Sequence, residues 1–140
     1  MARHRRPTWS SPRLAAALLL TLGCGDGASA PTGRELVGMW GSTEAELIAL
    51  YAGAELRLPC TRLIIDDAVV LNDANGFTAQ ARVDGPGLTA GNLPVIRLTG
   101  SVAGSQVTIA VPQSSQTAAA TYRLETGVTP APEDEPECPA

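Results

Sequence analysis

The spacing of apolar residues between positions 34 and 128 is the strongest constraint on the fold. Successive side chains of a β-strand point to opposite faces, so a strand with one buried face carries an apolar residue at every second position. Residues 54–58 (AELRL) alternate in this way, and short β-branched runs occur at 63–65 and 69–71. This pattern predicts an all-β fold.

Turn signals separate the predicted strands. The run 72–76 (NDANG) precedes an alternating stretch, 77–83, and 84–92 (DGPGLTAGN) reads as a loop. Segments 94–102 and 106–111 flank Ala103-Gly104-Ser105, which is a hairpin signal, and a last strand is expected at 119–126. Short strands with such turns predict a small antiparallel meander that closes as a barrel or a sandwich.

One segment allows two interpretations. Thr43 to Glu46 has the form of a helix capping box, and the following residues could continue as a helix. However, Gly53 interrupts the segment early, and Leu56 and Leu58 then alternate, which suits a hairpin that reverses at 52–53. We therefore expect a strand over 44–51, with a helix as the alternative.

The first 23 residues have the pattern of an export signal. Residues 1–13 contain four arginines and no acid, and residues 14–23 form an uncharged apolar run. Because a bilayer-spanning helix needs about 20 apolar residues, this run is too short for a permanent span.

The end of the apolar run resembles the lipobox of bacterial lipoproteins, since Leu22-Gly23 stands directly before Cys24. The resemblance implies that the Cys24 thiol is diacylated and that Cys24 becomes the mature N-terminus. Thr21 departs from the pattern, in which an aliphatic residue usually occupies that position. The alternative is a plain secretory signal that is cleaved near 28–30 (ASA).

We therefore divide the chain into four segments: a lipoprotein signal peptide at 1–23, a flexible small-residue tether at 24–33, a β domain at 34–128 and an acidic, proline-rich tail at 129–140. Cys60 and Cys138 remain as an even pair, which predicts a disulfide bond in an oxidising compartment. This disulfide bond would tie down the tail. The loop-entropy model gives it roughly 4.5 kcal/mol of stabilisation.

The mature composition excludes several functions. After Cys24 the chain has six arginines, no lysine and 14 acids, a formal charge of −8, and its only histidine, His4, lies in the leader. Such a surface repels nucleic acids. Because acid–base and nucleophilic catalysis mostly use His, Lys or activated Cys, we expect no enzymatic activity. We also expect no metal and no cofactor.

Two acidic motifs resemble parts of catalytic or calcium-binding sites. Asp66 and Asp67 are adjacent, so on a strand their carboxylates would point to opposite faces and would not converge on a substrate. Asp73-x-Asn75-Gly76 resembles part of a calcium loop, but Leu71 stands where an earlier oxygen ligand is needed. A polar strand end and a turn are the expected structures.

The predicted core combines aromatic and aliphatic residues. Buried aromatics commonly fill β cores, and Trp40, Tyr51, Phe77 and Tyr122 all fall on predicted strands. Trp40 is also the candidate for a residue that lines a ligand site. The aliphatic core candidates are Leu50, Leu58, Ile64, Val70, Val95, Leu98, Val107, Ile109 and Leu124.

The domain resembles a group of small secreted bacterial β-domains to which no function is assigned. The shared features here are Trp40-Gly41, Gly53-Ala54-Glu55-Leu56 with Cys60, Ile65-Asp66, Gly76-Phe77, Gly100 to Thr108, Thr121 to Leu124, and Cys138. This resemblance implies the β fold and the Cys60–Cys138 pair. Gly38-Met39-Trp40 also resembles the Gly-x-Trp of lipocalin first strands, a match of three residues.

Together these features predict a non-enzymatic envelope lipoprotein that binds a protein partner or has a structural role. The lipid on Cys24 would attach it to the membrane, and we expect the outer membrane, facing the periplasm, because Asp26 lies one position too late to retain it at the inner membrane. A secreted protein is the alternative location. A lipocalin-like carrier of a small apolar ligand is the alternative function.

Overall fold

The structure is a computed structural model that describes residues 33–129 and residue 138. Along this part of the chain ten β-strands form and no α-helix, so the all-β prediction is confirmed. In chain order the strands are β1 (Arg34–Glu35), β2 (Gly38–Gly41), β3 (Glu46–Leu50), β4 (Gly53–Leu58), β5 (Thr61–Ile65), β6 (Val70–Leu71), β7 (Gly76–Asp84), β8 (Val95–Ala103), β9 (Gln106–Val111) and β10 (Ala120–Thr126). Within the same residues, no helix is long and apolar enough to cross a membrane.

Eight of these strands form a closed antiparallel barrel in the order β10-β2-β3-β4-β5-β7-β8-β9. Of the two predicted architectures, barrel and sandwich, the barrel is therefore the one formed. Its closure joins the last strand to the first of the barrel, with Trp40 opposite Thr126 and Gly41 opposite Glu125. The two remaining strands, β1 and β6, pair with each other in a separate two-stranded ribbon.

The barrel interior is filled by side chains. Alternate residues of each strand point inward, and they form one hydrophobic cluster. Several of its members have no accessible surface at all, so no water-sized sphere fits beside them: Leu56, Leu63, Val83, Val107 and Leu124. Eight strands enclose an interior just wide enough for such filling.

The contested segment is a strand, as expected. Leu47 and Ala49 are buried while Ile48 is only half-buried, which is the two-residue period of β3. The capping-box residues do not start a helix because Ser42 closes a turn instead. Its hydroxyl accepts the backbone N–H of Ala45 at 3.1 Å, and its own backbone N–H donates to the Ala45 carbonyl at 2.8 Å.

Several predicted core residues lie on the outer surface. The predictions for Leu50 and Val95 are wrong, since their exposed fractions are 60% and 59%, and Tyr51 is 74% exposed in the turn after β3. Three others are only half-buried: Leu58, Ile64 and Val70. Alternation separates the two faces of a strand but does not say which face is inside, because strand pairing decides that. The remaining aliphatic candidates are buried as predicted: Leu98, Val107, Ile109 and Leu124.

The Asn72–Gly76 segment is a turn, as predicted. The side-chain oxygen of Asn72 accepts the backbone N–H groups of Ala74 at 3.0 Å and Gly76 at 2.9 Å. Asn75 has a φ of 57°, a left-handed conformation that asparagine tolerates better than most residues. These local bonds explain why the sequence signal was reliable here.

The two ends of the barrel carry different features. One end, which we call the hairpin end, carries the β3–β4 turn at Tyr51–Ala52. The β1–β6 ribbon lies at the same end, because β6 follows the end of β5 in the chain. The opposite end, which we call the disulfide end, carries the β4–β5 turn at Pro59–Cys60. The described chain therefore starts, at Gly33, beside the hairpin end.

Replacing one buried and one exposed leucine tests this assignment of faces. Leu56→Ala should lower the free energy of unfolding by about 2–5 kcal/mol, because it leaves a cavity in the filled interior. Leu50→Ala removes the same atoms from the outer surface and should change it by less than about 0.5 kcal/mol. Urea unfolding of the mature chain with its disulfide intact measures both, and equal losses would contradict the register.

Candidate functional site

Trp40 lies in the hydrophobic core with 7% of its surface exposed. Its ring packs over Gly38, two residues earlier on the same face of β2, where a Cβ atom would lie 2.8 Å from Cη2 of the ring. Glycine at this position thus makes room for the indole. The Gly-x-Trp spacing has a packing explanation in this barrel, and the candidate ligand-lining residue contacts the core.

Cys60 and Cys138 lie at disulfide-bonding distance, with their sulfur atoms 2.11 Å apart and their Cα atoms 5.1 Å apart. The bond closes a segment of 78 residues and attaches Cys138 to the disulfide end of the barrel. Cys60 itself has a φ of 62°, in the left-handed region that favours glycine. The two-residue turn between β4 and β5 requires this conformation.

A row of ion pairs crosses the outer surface near the disulfide end. Arg57 donates to Glu55 at 2.7 Å and to Glu46 at 3.0 Å, while Arg62 pairs with Asp84 on the neighbouring strand. The hydrogen bond that Arg57 donates to Glu55 is the main cause of a raised pKa at Arg57, and the one that Arg62 donates to Asp84 raises the pKa of Arg62. These charges border an open groove of about 590 Å³ that the disulfide also lines. Because each arginine here is matched by a carboxylate, the groove has no strong preference for an anion or a cation.

The hairpin-end half of the same surface carries most of the exposed apolar side chains, beside the Asp66–Arg82 ion pair. Its outward residues lie side by side in the register, Met39 opposite Ile48 on β3, and Val37 and Leu50 one step further toward the turn. We call this surface the apolar face and define it by Val37, Met39, Ile48, Leu50, Tyr51 and Ile64. Of the six exposed large hydrophobic residues of the described chain, four belong to it. Such clustering of exposed apolar side chains typically marks a contact surface.

An open groove of about 390 Å³ lies at the edge of the apolar face. Leu50, Ile48 and Ile64 line it, and Gly53 forms part of its floor. A Cβ atom at Gly53 would lie 2.4 Å from the carbonyl oxygen of Ile65, so the close approach of β4 to β5 requires glycine here. The missing side chain keeps the groove open.

Asp66 forms a two-pronged ion pair with Arg82 at the hairpin end. The guanidinium donates to both carboxylate oxygens, at 2.7 and 2.6 Å. These hydrogen bonds lower the pKa of Asp66 from its ordinary value. Asp66 directly follows the last residue of β5, so it occupies the polar strand end that the sequence predicts.

Cys24 and the acidic side chains complete the set of candidate site residues. Cys24 lies outside the described residues, as do the signal segment and most of the acidic tail. Within residues 33–129 and at Cys138, no group of three or more His, Cys, Asp and Glu side chains could hold a metal ion. In this part of the chain the apolar face is the surface that sequence reasoning missed, because the pattern predicts Leu50 and Tyr51 in the core. The available signal was their position at the start of the β3–β4 turn.

Comparison of the chain with protein families, with curated proteins and with solved structures finds no match.

Removing the disulfide should destabilise the domain strongly. Cys60→Ala with Cys138→Ala should lower the free energy of unfolding by up to about 4.5 kcal/mol, since the unfolded chain regains the entropy of an open segment. Cys60→Gly with Cys138→Ala should recover about 1 kcal/mol of that loss, because glycine adopts the left-handed conformation without strain. Denaturant unfolding measures both variants. An unchanged stability in the double alanine variant would contradict the bond.

Arg82→Gln should raise the pKa of Asp66 toward its ordinary value of about 3.9. Because the folded-state pKa of Asp66 is lowered, the ion pair stabilises the fold above about pH 4 and its contribution is lost as the pH falls through the lowered pKa. Carboxyl-carbon NMR titration measures this directly. Arg97→Gln is the matched control, since it removes one exposed arginine from β8, a different strand; an equal shift in both variants would contradict the pair.

Proposed function

We propose that the chain is a lipid-anchored envelope protein whose barrel is a non-enzymatic binding or structural module that acts through its outer surface. The observation that carries this proposal is the filled interior. A carrier needs space for its ligand inside the barrel, whereas here the inward side chains pack into one cluster with members that have no accessible surface. Contacts with other molecules are therefore left to the outer surface and the two ends.

The outer surface supports such a role because its two halves differ. The hairpin-end half is rich in exposed apolar side chains, and the disulfide-end half carries the row of ion pairs around the groove. Binding surfaces commonly combine an apolar centre with a polar border. The described strands thus offer one continuous surface with both components.

Features of the sequence alone support the lipid anchor. The basic segment, the apolar run and Leu22-Gly23-Cys24 support export and acylation at Cys24. An even pair of cysteines at bonding distance supports an oxidising compartment. The proposed location is the periplasmic face of the outer membrane.

A lipocalin-like carrier is the second candidate, and the strand number favours it. Eight-stranded barrels include proteins that hold one small ligand, and Gly38-Met39-Trp40 lies on the first strand of this barrel. In that case an apolar molecule would replace part of the core around Trp40. The 7% exposure of Trp40 and its contact with Gly38 favour a packing role for the indole.

Processing of the leader tests the proposal. Cys24→Ala should block acylation and signal removal, so that the chain accumulates with its leader attached; intact mass measures the missing acyl groups and the retained leader. Ala30→Leu is the control, because it blocks cleavage only if the chain is secreted by the plain signal at 28–30.

The outcome that contradicts the lipoprotein proposal is the reverse pattern, in which Cys24→Ala matures normally and Ala30→Leu does not. A small apolar molecule that copurifies with the acylated protein would instead favour the carrier.

A further inference from the structure

We propose that the apolar face is a membrane-contacting surface, which holds the barrel with its hairpin end against the bilayer in which the lipid of Cys24 is embedded. This inference rests on the proposed lipid anchor. It specifies the contact that the barrel surface makes and the orientation that follows from it.

The first argument is the position of Gly33, the first residue that the structure describes. Gly33 precedes β1, which pairs with β6 at the hairpin end, and Val37 of the apolar face follows only four residues after Gly33. Nine residues, 25–33, separate Cys24 from β1, and nine residues can span at most about 32 Å. A lipid on Cys24 therefore keeps the hairpin end, and the apolar face with it, within reach of the bilayer.

The side chains themselves are the second argument. Leu50 and Tyr51 stand next to each other at the tip of the hairpin, 60% and 74% exposed, and Met39 beside them is 51% exposed. An exposed turn with one aliphatic and one tyrosine side chain suits the boundary between headgroups and acyl chains, where the ring is apolar and the hydroxyl meets water. Monomeric soluble proteins rarely expose a contiguous patch of apolar side chains.

The charges are the third argument, and they select the kind of lipid. The register row that crosses the apolar face, Met39, Ile48, Glu55, Ile64 and Arg82, contains two charged residues. Each of them has a partner of opposite charge, since Glu55 pairs with Arg57 and Arg82 pairs with Asp66. Asp66 lines the groove beside the hairpin tip, together with Leu50 and Ala52, and the mature chain has a formal charge of −8. Anionic lipids would be repelled. The face therefore fits an uncharged or zwitterionic lipid surface.

This orientation gives the two ends of the barrel separate roles. With the hairpin end on the bilayer, the disulfide end and its groove of about 590 Å³ point away from the membrane. The ion-pair row is then the surface that remains accessible to other molecules. The membrane contact thus orients the barrel so that the disulfide end and its ion-pair row face away from the bilayer.

The test uses the full acylated protein in vesicles of phosphatidylcholine, with and without brominated phosphatidylcholine as a short-range quencher. Trp40 is the only tryptophan after Cys24, so a second tryptophan can be introduced as a probe over a common background. Tyr51→Trp places the probe at the hairpin tip. Thr121→Trp is the matched control, an exposed position on β10 at the disulfide end.

The expected result is a blue shift and quenching of the added fluorescence in Tyr51→Trp, with neither change in Thr121→Trp. Adding phosphatidylglycerol to the vesicles should reduce the quenching, and added salt should restore it. Introducing Leu50→Glu beside the probe should abolish the quenching, because a carboxylate at the tip is costly to move out of water. Val95→Glu, at a residue of similar exposure on β8 and outside the apolar face, should leave the quenching unchanged.

Three outcomes would overturn the inference. An intact mass without acyl groups on Cys24 would remove the anchor, and both the proposed function and this inference would then fail. Acylated protein that sediments with vesicles while Tyr51→Trp stays unquenched would leave the proposed function standing and refute the membrane contact. Equal quenching at Tyr51 and Thr121 would show that the barrel has no preferred orientation.

Discussion

Closure of the sheet by pairing of β10 with β2 is the constraint on which the other properties of this protein depend. A closed sheet has no unpaired edge, and each of its strands must divide its side chains between one interior and one exterior. The interior of this barrel is occupied by its own aliphatic and aromatic residues, with Trp40 packed over Gly38. The chemistry available to other molecules is therefore that of the outer surface.

The outer surface differs between the two ends of the barrel. The apolar face and the start of the described chain share the hairpin end, while the disulfide bond and the ion pairs of Arg57 and Arg62 occupy the other end. Exposed ion pairs of this kind contribute little to stability. They make the disulfide end polar, whereas Leu50 and Tyr51 at the hairpin end are exposed and uncharged.

Local signals in the sequence were enough to predict most strands and turns. Asn72 and the Ala103-Gly104-Ser105 segment specify their turns through nearby backbone groups, and Cys60 with Cys138 are the only cysteines after Cys24. The faces were harder. The pattern predicts Leu50 and Val95 in the core because alternation does not show which face of a strand is buried. Only pairing with distant strands decides that. Residue types alone therefore did not reveal the apolar face.

The filled interior is the central claim, and extraction of any bound apolar molecule tests it most directly. The mature chain without its lipid anchor would be unfolded in denaturant, washed with an organic solvent and refolded, and the emission of Trp40 would be compared before and after. A core made only of side chains predicts an unchanged emission maximum and an unchanged free energy of unfolding. A red-shifted emission and a lost stability, both restored by adding back the extract, would contradict the account and make the barrel a carrier.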